Sequence, residues 1–115
     1  MPTVFLVDDD DGVRQALERA LSEEGFEVHA CKSAQDFLAI YRASPRGCVV
    51  LDVSMPDMGG LELQAELAAC GKPPPIVFLT GHGDIPMAVK ALKRGAADFL
   101  PKPTTTRALV AAISD

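Results

Sequence analysis

At 115 residues the chain is sized for one domain, able to bury roughly two thirds of its unfolded surface in a single core. Its 48% hydrophobic and 23% charged residues are ordinary for a globular fold, and no apolar run approaches the ~20 residues of a spanning helix, which argues against disorder and a membrane protein. A net charge of -5 argues against direct nucleic-acid binding, which needs clustered Lys and Arg.

Met1-Pro2-Thr3 lacks a basic flank and an apolar signal region, so a cytoplasmic location is expected. Thr3 to Val7 reads as a short apolar strand, and Asp8-Asp9-Asp10-Asp11 follows it at once. From Asp11 to Glu24 the residues Val13, Ala16, Leu17, Ala20 and Leu21 form one amphipathic stripe, closed by Gly25. Glu27 to Cys31 alternates, as an edge strand with one wet face should, and Ser33 opens a second helix with Phe37, Leu38 and Tyr41 inward and an end near Ser44-Pro45. Cys48-Val49-Val50-Leu51 is a continuous apolar run, the mark of a strand covered on both faces, and it delivers Asp52 to the loop Val53-Ser54-Met55-Pro56-Asp57-Met58-Gly59-Gly60. A third helix is expected from Gly60 to Cys70, with Leu63 and Leu67 inward and Gly71 as its stop. Lys72-Pro73-Pro74-Pro75 then connects to the apolar strand Ile76-Val77-Phe78-Leu79, which ends in Thr80. Asp84 as N-cap and Pro86 in the first turn start a fourth helix that stops at Gly95. A short strand from Ala97 to Leu100, the segment Pro101-Lys102-Pro103 and a last helix from Thr105 to Ser114, with Leu109, Ala112 and Ile113 inward, complete the series. Cys31, Cys48 and Cys70 are odd in number and show no Cys-x-x-Cys spacing; they read as small core thiols rather than as a disulfide framework or zinc site.

Strands alternating with helices, without hairpin signals, imply a parallel sheet with crossover helices on both faces. The first, third and fourth strands are the most apolar and should be central. The expected fold is therefore α/β, a flavodoxin-like doubly wound (βα)5 three-layer sandwich with sheet order 2-1-3-4-5 and its switch point between strands one and three.

This topology puts Asp8 and Asp9, Asp52, Thr80 and Lys102 on one rim, the C-terminal ends of four strands, where ligands collect in such sheets. Three converging carboxylates repel one another unless a cation is present. Magnesium suits them: it takes oxygen ligands and is commonly held by one or two carboxylates plus a phosphate. Two of these aspartates and a backbone carbonyl from the following loop, such as that of Ser54, would fit as its protein ligands. Asp52 can then attack a phosphoryl donor in line, while Lys102 pairs with one phosphoryl oxygen and Thr80 donates a hydrogen bond to another. Taken singly, Lys102 reads as a solvated charge and Thr80 as a strand-end hydroxyl; their joint position favours chemistry.

On these residues the chain resembles the receiver domain of two-component response regulators over essentially its whole length. The acidic pair Asp8-Asp9, Asp52 with Met55-Pro56-Asp57-Met58-Gly59-Gly60 after it, Thr80 and Lys102-Pro103 occur in that family's order and spacing. The stretch from Thr80 to Val89 is similar to the FixJ-like subgroup. The resemblance implies that Asp52 is the phosphoacceptor, that Asp9 is a direct magnesium ligand and Asp8 one largely through water, and that Asp52 and the Ser54 carbonyl complete the metal set, with Mn2+ as a substitute ion. It also implies a switch in which Thr80 is drawn toward the phosphoryl group and Phe99 fills the vacated space. The implied partners are a sensor histidine kinase, a second copy through helix 4, strand 5 and helix 5 on phosphorylation, and a C-terminal DNA-binding output domain in a longer parent that controls transcription. Residues 1–115 would be the receiver domain alone, with the output domain absent, acting by catalysing its own phosphorylation and dephosphorylation rather than as a conventional enzyme. Lys90, Lys93 and Arg94 are expected to face out on the fourth helix. Family resemblance also makes Lys102-Pro103 a candidate cis bond, and Thr104 replaces the Phe that many relatives carry. Ser54 and His82 are expected to influence hydrolysis of the acyl phosphate.

Three rival readings compete with this one. Asp9-Asp10-Asp11-Gly12-Val13 resembles the start of haloacid-dehalogenase-type phosphatases with Asp9 as nucleophile, but the chain is short for that family and Asp52 would have no role. A flavin-binding module would need a phosphate loop and stacking aromatics, and the chain has one Tyr and no Trp. A phosphorylation-independent interaction module would keep the acidic residues only as relics.

Overall fold

The computed structural model describes residues 2–43, 46–53, 55, 58–69, 71, 73–81 and 85–114. Strands β1 (Thr3–Val7), β2 (Glu27–Cys31), β3 (Cys48–Asp52), β4 (Ile76–Thr80) and β5 (Asp98–Pro101) alternate with helices α1 (Asp11–Glu23), α2 (Ala34–Ala43), α3 (Gly60–Ala69), α4 (Ile85–Lys93) and α5 (Thr106–Ser114). All pairings are parallel, in the order β2-β1-β3-β4-β5. This is the expected doubly wound flavodoxin-like order.

Because successive side chains of a strand point to opposite faces, each central strand feeds two cores. Phe5 and Val7 of β1 join Phe37 and Tyr41 of α2, Leu63 and Leu67 of α3, Phe78 of β4 and Ala91 of α4 on one face. Val4 and Leu6 join Leu21 of α1, Val50, Val77, Leu79, and Leu109 and Ala112 of α5 on the other. With no wet side, β3 and β4 are buried from end to end, which is why their sequences are unbroken apolar runs. The edge strand β2 is graded from exposed to buried rather than cleanly alternating.

Turn chemistry sets the helix ends. Asp10 Oδ1 accepts from the Val13 N–H at 3.0 Å, Ser33 Oγ from Asp36 at 3.1 Å and Thr105 Oγ1 from Ala108 at 3.0 Å. The last of these caps α5, so the helix begins at Thr106 and not at Thr105. Gly25, Gly71 and Gly95 follow α1, α3 and α4 with φ of 96°, 97° and 101°, the left-handed conformation that the sequence assigned to these stops. The fifth strand lies one residue later than expected, because Thr80 pairs with Pro101 while the Ala97 N–H bonds Ile76 O at 2.8 Å ahead of the strand. Ala16 of α1 is exposed instead of inward. It lines an open groove with Val13, Leu17, Pro103 and Thr104.

Gly60 brings α3 onto the strand that carries Asp52. A Cβ there would lie 2.9 Å from Phe78 Cε1 and Val53 Cα and 3.0 Å from the Asp52 carbonyl oxygen. Its N–H bonds Val53 O at 3.0 Å. Cys31 and Cys48 are buried as expected; Cys70, the Asp84 cap and the Ser44-Pro45 end of α2 lie outside the described residues. No helix among the described residues is long and apolar enough to cross a membrane.

Candidate functional site

Parallel register decides what meets at the rim. Val7 is aligned with Leu51 and Asp52 with Leu79, so the residue after β1, the last residue of β3 and the last residue of β4 come out at nearly one level. The ladder continues past the strands: Asp8 N–H bonds Cys31 O at 3.1 Å, Val53 N–H bonds Leu79 O at 3.0 Å and Lys102 N–H bonds Thr80 O at 2.6 Å. These bonds hold Asp8, Asp52, Thr80 and Lys102 at the sheet's upper edge.

Asp8 is fully buried, Asp52 and Thr80 are buried, and Asp9 is exposed. Carboxylate oxygens of Asp8, Asp9 and Asp52 lie within 4.8 Å of one another. Lys102 Nζ lies between the buried pair, 2.8 Å from Asp8 Oδ2 and 3.4 Å from Asp52 Oδ1, with its side chain 19% exposed. Burial pulls the Lys102 ammonium toward a lower pKa, but the bond to Asp8 and the charges of Asp52 and Asp8 outweigh it and hold the pKa above the usual lysine value. One ammonium offsets only one of three carboxylate charges. The set therefore fits a hard divalent cation: every side-chain donor is a carboxylate oxygen, and among the described residues buried Asp8 Oδ2 has no hydrogen-bond donor beside its ion pair with Lys102. Asp8 Oδ1 accepts from the Asp10 N–H at 2.9 Å, which fixes the carboxylate's direction.

Phe99, half-buried on β5, aligns with Phe78 and lies with ring centroids 6.0 Å apart, packed against the core that contains Ala91 of α4. Lys90, Lys93 and Arg94 are exposed as expected. The Lys102-Pro103 bond is cis. Ser54 and His82 lie outside the described residues.

Two residues carried no role in the sequence reading, Arg14 beside the site and Gln64 between α3 and α4. Arg14 donates from Nη1 to the Asp8 carbonyl at 2.9 Å and from Nη2 to Asp11 Oδ1 at 2.5 Å; its spacing from Asp11, i and i+3, was the available signal. Gln64 is a buried amide in α3 that donates to Ala91 O of α4 at 3.0 Å, and no sequence pattern marks a polar residue as inward-facing there.

Comparison with known proteins agrees with this arrangement. The family model described as "Response regulator receiver domain" matches residues 4–114. The response regulator protein TodT of Pseudomonas putida is 46% identical over 110 residues, covering 96% of this chain and 48% of TodT. The transcriptional regulatory protein FixJ of Azorhizobium caulinodans is 47% identical over 110 residues, covering 96% of this chain and 52% of FixJ. The crystal structure of FixJ-N superposes with a TM-score of 0.91 at 42% identity, covering 99% of this chain and 91% of that one. The chain thus spans about half the length of TodT and FixJ. A match that runs from the first strand into the last helix leaves none of the ten elements unaccounted for: the chain belongs to the family of response regulator receiver domains.

Proposed function

We propose that Asp52 is the phosphoacceptor of this receiver domain. The observation that carries the reading is the buried Asp52 carboxylate facing Lys102 and the Asp8 and Asp9 carboxylates on one rim. An Asp52 oxygen attacks the phosphorus of a phosphohistidine or an acyl phosphate, forming the new O–P bond as the bond to the leaving group breaks and the leaving group departs with the electron pair. Lys102 pairs with a phosphoryl oxygen as negative charge gathers there, and Thr80 donates its hydroxyl proton in a hydrogen bond to another. Magnesium, with manganese as substitute, would be held by Asp8, Asp9, Asp52 and the Ser54 carbonyl, and would neutralise the carboxylates and offset the phosphate charge. Attack of water on phosphorus regenerates the Asp52 carboxylate and inorganic phosphate. Both reactions are the chain's own catalysis.

The switch follows from charge and space. A phosphoryl group on Asp52 adds negative charge, draws Thr80 toward it and lets Phe99 turn into the space vacated, which changes the α4 and β5 surface. A sensor histidine kinase is the donor, and residues 1–115 act in the cytoplasm as the receiver of a longer parent whose output domain binds DNA and regulates transcription. Support for the parent is the half-length coverage of TodT and FixJ. Dimerisation through α4, β5 and α5 is the proposed consequence of phosphorylation, with Lys90, Lys93 and Arg94 on the exposed face.

Replacing Asp52 with Asn tests the assignment. Incubation with radiolabelled acetyl phosphate and Mg2+ should label the wild-type chain and leave Asp52→Asn unlabelled, and intact-mass spectrometry should find one phosphoryl group. Continued labelling of Asp52→Asn would overturn it. Labelling that is lost in Asp9→Asn but retained in Asp52→Asn would instead favour the phosphatase-type nucleophile. Wild-type protein that takes no label and shows no Mg2+ affinity would favour a contact-only module.

A further inference from the structure

The first turn of α1 is closed by a ring of hydrogen bonds that runs from Asp8 to Arg14. Asp10 N–H donates to Asp8 Oδ1 at 2.9 Å, Val13 N–H to Asp10 Oδ1 at 3.0 Å and Arg14 N–H to Asp10 O at 2.9 Å. The Arg14 guanidinium completes it, with Nη1 on the Asp8 carbonyl oxygen at 2.9 Å and Nη2 on Asp11 Oδ1 at 2.5 Å. Its side chain is 15% exposed whereas that of Asp11 is 77% exposed, so the arginine is folded back over the turn. The guanidinium grips Asp8 by its main chain, and the Asp8 carboxylate faces Lys102, Asp9 and Asp52.

We propose that Arg14 is a positioning residue for the divalent-cation site, an inference that rests on the cation-site reading given above. The carbonyl it holds belongs to the planar peptide that joins Asp8 to Asp9. Fixing that plane fixes how the two Cα atoms, and the carboxylates they carry, are turned relative to each other and to Asp52. The fork is essential because its two nitrogens reach two different acceptors, and a lysine offers one compact charge in their place. A positional effect and a simple charge effect differ in sign. Arg14 is a cation close to a cation site, so deleting its charge should tighten metal binding if charge alone mattered. Loss of the clamp should weaken it.

Calorimetric titration of metal-free protein with Mg2+ decides between them. Arg14→Gln and Arg14→Lys should each lower Mg2+ affinity by about tenfold, the usual scale for losing a group that orients a metal ligand. In the metal-free proteins, the Asp10 amide, bonded to the Asp8 carboxylate, should shift and exchange faster with solvent while amides of β3 and β4 keep their positions. If Arg14→Gln fails to fold, Arg14→Lys carries the test, since it keeps the charge and much of the stem. Variants with unchanged or tighter Mg2+ binding overturn the role of Arg14 while leaving the cation site intact. Wild-type protein with no Mg2+ affinity overturns the cation-site reading and the Arg14 role with it.

Discussion

At the scale of single residues, Lys102 is shared by two buried carboxylates, Asp8 and Asp52, at 2.8 and 3.4 Å. Replacing it with Met leaves two buried like charges without that cation, a change that typically costs about 3 kcal/mol or more when one partner of a buried pair is removed. Urea denaturation should show a loss of that size for Lys102→Met in metal-free buffer and a clearly smaller loss at saturating Mg2+, because a bound cation stabilises the native state by mass action and restores positive charge to the cluster. An equal loss under both conditions would contradict a shared cation site. Asp8, Asp9, Asp52, Thr80 and Lys102 were legible in sequence because each follows or ends an apolar strand, and a polar residue in that position must emerge at the sheet edge. Arg14 was legible only as an i, i+3 partner of Asp11; its bond to the Asp8 carbonyl was not, because main-chain acceptors leave no mark on sequence.

At the scale of elements, the distance between α3 and the end of β3 depends on one hydrogen atom. Gly60→Ala puts a methyl 2.9 Å from Val53 Cα and Phe78 Cε1, and the backbone side of that contact cannot rotate away. The expected loss is about 1–3 kcal/mol, the range for overpacking, measured as a lower denaturation midpoint. Gly59→Ala is the control, since a Cβ there meets nothing closer than Val53 O at 3.7 Å and should be close to neutral. The Gly-Gly pair was readable as a loop and helix start, yet nothing in the string distinguishes the glycine that is packed from the one that is not. The same holds for Gln64, whose bond to Ala91 O ties α3 to α4 through a contact between residues distant in sequence.

At the scale of the whole molecule, two thiols report on burial on opposite faces of the sheet. Burial pushes Cys31 up to about 11, with the Asp36 charge adding to it and Arg14 opposing; burial also pushes Cys48 up to about 11, opposed by its hydrogen bond to Val49 O. Both stay protonated in the native state at pH values where the unfolded chain, with thiols near their ordinary value of 9.0, has begun to release them. Their contribution to stability is therefore intact below about pH 9 and is lost as pH rises toward about 11. Denaturation midpoints should fall across that window, and a thiol reagent at about pH 8 should leave Cys31 and Cys48 unmodified until denaturant is added. Rapid modification of both in native protein would contradict their placement. The sequence by itself determined the order of elements, the parallel sheet with its central strands, and the strand ends at which charge collects, because apolar period, caps and left-handed glycines act over a few residues. Only the tertiary structure decided which charges touch. The Lys102 bridge between Asp8 and Asp52, the Arg14 clamp and the close seat of Gly60 depend on parallel register and helix packing, which bring together residues tens of positions apart and are set by the whole core at once.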